Sequence, residues 1–157
     1  MSFMGCANMI RKARVTDVKK IQKLINHYAK RDKMLPRSLN ELYENIRDFF
    51  VYADGAKVYG CCALHIDWED LAEIKSLAVL PAKVNKDIGT KLLEECIKEA
   101  RVLKIKKIFA LTYVPGFFGK FGFKIVDKAQ LPHKIWSECI KCVYFPGCKE
   151  IAVMKEL

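Results

Sequence analysis

What the sequence lacks already excludes several classes of protein. No apolar run approaches the ~20 residues that a helix needs to cross a bilayer. The opening MSFMGCAN has neither a basic start nor a long hydrophobic core, so it does not read as a secretory signal. Residues 1–9 are expected to be a disordered extension, with Met9 an alternative start, because the first patterned strand begins at Ile10. The basic residues form no arginine-rich cluster and no aromatic–basic repeat. The net charge of +10, from 28 basic against 18 acidic side chains, therefore reads as solvated faces, not a nucleic-acid footprint. Such an excess attracts phosphorylated cofactors and carboxylate substrates; no nucleic acid and no membrane is expected as a partner. Cysteines are present in an odd number, seven, and Cys61, Cys62 and Cys96 sit inside apolar patterns, which suits reduced, buried thiols and a cytoplasmic location.

What is present is one globular domain, residues 10–157, with 52% apolar and 29% charged residues. It is organised around Leu71 to Leu103. From Leu71 to Val79 the residues alternate, with Leu71, Glu73, Lys75, Leu77 and Val79 on one face and Ala72, Ile74, Ser76 and Ala78 on the other. Both faces are largely apolar, which places this strand inside a sheet. After Pro81 the spacing becomes helical: Ile88, Leu92, Leu93, Cys96, Ile97, Ala100 and Leu103 form one stripe, with a start near Gly89. A strand that turns through a loop into a helix makes an anion site, because the first amides of the helix have no internal partner and carry the positive end of its dipole.

The remaining elements follow by the same logic. Ile10 to Val15 reads as a strand, and Thr16 as the cap of a helix facing the core through Val18, Ile21, Leu24, Ile25 and Tyr28. Ser38 caps a second helix to about Arg47. Phe49–Ala53 and Lys57–Ile66 flank Asp54-Gly55, a hairpin dipeptide. Lys107–Thr112 is a buried strand, Pro115–Phe121 a short helix, and Phe123–Val126 and Ile151–Lys155 are closing strands. The order is β-α-α-β-β-β-α-β-α-β-β, an α/β (α+β) architecture with seven strands and four helices around a mixed central sheet.

The central stretch resembles the signature of the GNAT superfamily of N-acetyltransferases, in which a V-x-P strand end leads into Q/R-x-x-G-x-G/A and a helix. Val79 and Pro81 match its first part, and Gly89, Thr90, Leu92 and Leu93 its last; Val84, Asn85 and Asp87 stand where Gln or Arg and two glycines are usual. Asn and Asp tolerate the left-handed conformation such a loop needs, and Lys83, Lys86 or Lys91 can offset the Asp87 charge. The segments LPRSLNELY, GCCALH, AEIKSLAVLP and KKIFALTYVPGFFGKFGF resemble the acetyltransferase domain of bacterial N-acetylglutamate synthases over roughly Ile10 to Pro132. The chain is similar to a short, stand-alone form, without the kinase-like arginine-sensing domain.

The resemblance implies acetyl-CoA as co-substrate and acetyl transfer to a small acidic amino acid, glutamate above all, in arginine biosynthesis. It implies that the pyrophosphate sits on the loop and first turn, Val84, Asn85, Lys86, Asp87, Ile88, Gly89 and Thr90. Backbone groups of Leu77, Ala78 and Val79 would hold the acetyl carbonyl and the pantetheine arm. Arg37 and Ser38 match an Arg-Ser that faces the substrate carboxylates, a task that suits the guanidinium fork. Glu73 and Lys75 lie about 7 Å apart along one strand face. They either pair with one another, or Glu73 accepts the ammonium proton and Lys75 a substrate carboxylate. Phe118 occupies the place of the tyrosine that usually protonates the thiolate; Tyr113 is the nearest substitute, or the thiolate leaves unassisted or takes its proton from water.

Cys139, Cys142 and Cys148 form C-x2-C-x5-C, with His133 nearby as a fourth ligand for zinc; ordinary thiols are the favoured reading and no metal is assigned. Cys61-Cys62 lies in a strand apolar on both faces, where inert thiols predominate. His27 and His65 show no partner in the sequence and receive no role. The rival readings are transfer to another amino acid, a polyamine or a protein N-terminus, and an eroded module that binds coenzyme A without turnover. Homodimerisation is left open.

Overall fold

The computed structural model describes residues 9–84, 87–132 and 150–157. The extension before Met9, the loop residues Asn85 and Lys86, and the segment with His133, Cys139, Cys142 and Cys148 lie outside the described residues. The elements come in the expected order: β1 (Ile10–Lys12), α1 (Val18–Ala29), α2 (Leu39–Glu44), β2 (Phe49–Asp54), β3 (Lys57–Trp68), β4 (Leu71–Val79), α3 (Ile88–Val102), β5 (Lys107–Thr112), α4 (Pro115–Gly119), β6 (Lys124–Val126) and β7 (Ile151–Glu156).

The strands form one sheet in the order β1-β2-β3-β4-β5-β7-β6. Neighbours are antiparallel except β4 and β5, which are parallel because α3 carries the chain across between them. The side chains of β3 alternate between two cores. Cys62 and Leu64 meet α3, whose Ile88, Leu92, Leu93, Cys96, Ile97 and Ala100 form the stripe read from the sequence, except that Leu103 falls past the helix end and is exposed. Cys61 and Ala63 meet α1 and α2 through Val18, Ile21, Leu24, Ile25 and Leu42. A helix of 12 residues such as α1 is marginal alone, so this burial, about 1.5–3 kcal/mol for each large aliphatic side chain, holds it in place.

Several boundaries differ from expectation. β1 stops at Lys12, and the chain enters α1 through a 3-10 turn, Val15–Asp17. Thr16 is exposed and does not cap. Asp17 stands at the N-cap position of α1, but its side chain turns back instead of capping: its Oδ2 accepts the Arg14 amide at 2.7 Å, and its two oxygens receive the Arg11 guanidinium at 2.7 and 3.1 Å. Burial pushes the Asp17 carboxyl up, but hydrogen bonds from Arg11 and Arg14 and the charges of Arg11 and Lys20 outweigh it and leave the pKa lowered. Ser38 caps α2 as expected, its Oγ accepting the Glu41 amide at 3.1 Å, but α2 ends at Glu44 and a 3-10 turn, Ile46–Asp48, follows. β3 runs to Trp68, and α3 begins at Ile88.

The strict alternation of β4 fails. Against β3 the register runs Ala63↔Lys75 and then Cys61↔Ala78, so β4 carries one residue more than its partner. Ser76 absorbs it with φ +55°, a bulge that is costly for a non-glycine residue. Ala72 and Ile74 pack on the α3 side, and beyond the bulge so do Leu77 and Val79, while Ala78 turns to the α1 side. Two-residue periodicity read along a sequence has no means of showing this inserted step.

Candidate active site

The site grows from two departures from regular pairing at the middle of the sheet. β4 and β5 pair only at Leu71↔Lys107, Ala72↔Ile108 and Glu73↔Phe109, although β4 runs on to Val79 and β5 to Thr112. Beyond Glu73 the two strands are no longer hydrogen-bonded to each other, which frees the edge of β4 that bears Leu77, Ala78 and Val79. The Val79 carbonyl accepts the hydroxyl of Tyr28, a residue the sequence pattern placed only in the core. Burial raises the pKa of that hydroxyl, against a smaller opposing effect of Arg31, so it stays a donor.

At the end of β4, α3 points its first turn toward this opening. Asp87 precedes it with φ +59° and ψ +17°, the left-handed conformation expected of a residue standing where glycine is usual. Its side chain does not cap the helix, so the first amides of α3 are not taken by it. Ile88 is buried and anchors the turn on the core, Gly89 and Thr90 are partly exposed, and Val84 is half exposed. The surroundings of Gly89 leave room for a methyl group: a Cβ there would lie 3.7 Å from the ring of Phe117 and 3.8 Å from Val79, ordinary contacts. The opposite holds at Gly60 on β3, where a Cβ would lie 2.9 Å from both Ile88 and Leu92. The missing side chain at Gly60 is what lets the first turns of α3 settle onto the sheet. Lys83 and Lys91 lie over the rings of Tyr59 and Tyr52, at 5.1 and 5.9 Å, which keeps two cations beside this turn.

The opposite face of β4 carries the polar groups. Arg37, in the loop before α2, is only 9% exposed in its side chain; its Nη1 donates to Ser76 Oγ at 3.1 Å, its Nε to Glu41, and its guanidinium lies 5.3 Å from the centre of the Phe49 ring. The arginine of the α1–α2 loop thus lands on the bulge, one residue from Lys75, which shares that face with Ala63. Ser38 is committed to its cap. Glu73 lies two residues further back on the same face, 7% exposed, opposite His65 in the register. His65 has the partner that the sequence did not show: its Nδ1 lies 2.7 Å from Asp48 Oδ2. A carboxylate only accepts, so Nδ1 carries the proton and donates. That bond, ahead of the opposing effect of burial, raises the His65 pKa. His27 also has a neighbour, Arg31, on the outer surface of α1.

The chain that carries this arrangement, a parallel pair that opens, a bulge at its lip and a helix end aimed into the gap, is similar to known proteins. The Acetyltransferase (GNAT) domain family matches residues 45–125, more than half of the chain. An uncharacterised N-acetyltransferase of Chlorobaculum tepidum is 40% identical over 148 residues, 94% of this chain and 96% of the relative. The chain belongs to the GNAT acetyltransferases. Within that family, an amino-acid acetyltransferase of Mycobacterium tuberculosis is 34% identical over 136 residues, 85% of this chain and 78% of the relative. The solved structure of N-acetylglutamate synthase from Neisseria gonorrhoeae, complexed with coenzyme A and N-acetyl-glutamate, superposes with a TM-score of 0.86 at 28% identity, over 94% of this chain and 34% of that longer one.

As a GNAT acetyltransferase the chain keeps the gap and the helix end but not every side chain of the pattern. Phe118 is buried in the core against Phe123, with ring centres 5.2 Å apart, so it packs where a proton donor is usual. Tyr113 follows the last residue of β5, partly exposed, on the side where β4 and β5 have parted. Cys61 and Cys62 are fully buried, and burial pushes the Cys61 thiol up to about 12, which removes it as a nucleophile at neutral pH.

Proposed function

We propose that this acetyltransferase moves the acetyl group of acetyl-CoA to the α-amine of an acidic amino acid, with L-glutamate first among the acceptors. The observation that carries the reading is the Arg37 guanidinium bonded to Ser76 at the bulge, next in the chain to Lys75. Two cations brought to neighbouring positions of β4, on the acceptor side of the open strand edge, suit a substrate with two carboxylates. The amino-acid acetyltransferase relative and the synthase structure point the same way.

In this reading the pyrophosphate of the carrier lies on the α3 amides at Asp87, Ile88, Gly89 and Thr90 and on the loop from Val84 through Asn85 and Lys86. The pantetheine arm runs along the freed edge of β4, where it takes the place of the missing β5 partner for backbone groups of Leu77, Ala78 and Val79. The acetyl carbonyl is brought against a fixed amide, a donor that costs no reorganisation as the oxyanion forms. Glu73 accepts a proton from the acceptor ammonium, the amine attacks the carbonyl carbon, and as the carbon–sulfur bond breaks the second proton lost by the nitrogen reaches the departing thiolate by way of Tyr113 or water. The decisive experiment measures coenzyme A release from acetyl-CoA with a panel of amines: glutamate, aspartate, glutamine, leucine, a polyamine and a peptide N-terminus. The expected outcome is the highest kcat/KM for glutamate; equal or faster turnover of the amines that lack a side-chain carboxylate would sink the assignment.

A further inference from the structure

Acetylation of an ammonium releases one proton that neither product keeps. The nitrogen loses one proton before it attacks; it loses a second after the tetrahedral adduct forms, and that one ends on the sulfur of the leaving thiol. The first must reach solvent, yet Glu73 is 7% exposed and lies in the middle of a seven-stranded sheet. A buried carboxylic acid that is not discharged cannot serve the next turnover.

His65 stands directly across the β3–β4 ladder from Glu73. Residues paired in this way project to one face with Cβ atoms about 4.5–5.5 Å apart, within reach of each other or of one bridging water. The imidazole is held by Asp48 through Nδ1 at 2.7 Å, which leaves Nε2 as its basic atom. Both partners are more open to solvent than Glu73: the His65 and Asp48 side chains are 27% and 24% exposed. We propose, on the basis of the acetyl-transfer reading, that Glu73, His65 and Asp48 form a proton exit, in which Glu73 hands the proton of the acceptor ammonium to His65 Nε2 and Asp48 holds the imidazolium until Nε2 gives the proton to water. Bonds balance: the N–H broken at the substrate becomes an O–H on Glu73, then an N–H on His65, then hydronium or protonated buffer.

The groups that face His65 fit this task better than binding of a substrate carboxylate. They are Asp48 from the turn before β2, Asp67 from β3 itself, and Glu73 and Lys75 from β4, with carboxylates in the majority. The Asp48 hydrogen bond and charge favour the imidazolium, with Asp67 in support, while burial and Lys75 oppose it; the balance raises the His65 pKa. Because the relay needs neutral imidazole to receive a proton, activity rises with pH through that raised value.

The test compares wild type, His65→Gln and Asp48→Asn, using acetyl-CoA and whichever amine of the panel turns over fastest. The relay requires a kcat for His65→Gln lower by roughly tenfold or more in weak buffer, restored by added imidazole, with acetyl-CoA affinity by calorimetry unchanged. Asp48→Asn moves the acid limb of the pH profile toward lower pH, in step with the His65 imidazole titration followed by NMR. A His65→Gln enzyme with wild-type kcat and acid limb, indifferent to imidazole, overturns the relay and leaves the acetyl-transfer reading standing. A wild-type protein that acetylates no amine overturns both.

Discussion

At the scale of single residues, Gly89 separates the needs of the fold from those of a ligand. Glycine in the first turn of a helix is a poor choice for stability, and replacing it with alanine gains up to about 1 kcal/mol where nothing obstructs the methyl. Here nothing does, since the nearest atoms to a Cβ would be 3.7 Å away. Gly89→Ala is therefore expected to melt no lower than wild type while its KM for acetyl-CoA rises severalfold; an unchanged KM would show that the first turn of α3 does not approach the carrier. Arg37 gives the complementary case. Its guanidinium touches Ser76, Glu41 and the Phe49 ring, so Arg37→Ala loses packing as well as charge, whereas Arg37→Lys keeps the charge and loses the fork. Both substitutions should raise the KM for glutamate by more than tenfold and leave acetyl-CoA binding close to wild type, and a normal glutamate KM in Arg37→Lys would remove the fork from the recognition scheme.

At the scale of elements, the placement of α3 on the sheet depends on one absent side chain. A Cβ at Gly60 would meet Ile88 and Leu92 at 2.9 Å, so Gly60→Ala should destabilise by about 1–3 kcal/mol and tilt the first turn of α3. Denaturant unfolding and the KM for acetyl-CoA should worsen together; a loss of stability with no change in KM would show that the helix end tolerates displacement. The long elements were legible because burial writes a period into them. The stripe of α3 carries it clearly, β3 and β4 were legible as unbroken apolar runs, and Ser38 announces α2. What stayed hidden was set by contacts distant in sequence. The bulge at Ser76 exists because β3 and β4 differ by one residue in register, and His65 acquires Asp48 because the turn before β2 packs beside β3. Tyr28 reaches Val79 across 51 positions. No local window contains both partners of such pairs.

For the whole molecule, the joint between β1 and α1 sets the response to acid. Asp17 is 4% exposed in its side chain and paired with Arg11, and its pKa is lowered in the folded state. The unfolded chain therefore binds the proton first, so the stability that Asp17 contributes is present above its ordinary carboxylate range and is lost as pH falls through the folded value. Asp17→Asn should melt below wild type at pH 7, with the gap closing as pH falls toward 3; a gap independent of pH would mean that the side chain matters for its shape and not for its charge.

The early end of the β4–β5 ladder has a consequence for motion. In the empty protein, backbone amides of β4 beyond Glu73 that point away from β3 have no rung on β5 to hold them, and they should exchange with deuterated solvent faster than their neighbours in the same strand. A pantetheine arm lying there supplies the missing rungs, so the carrier would act as a temporary eighth strand, and slowed exchange confined to alternate residues from Ile74 to Val79 would be its imprint.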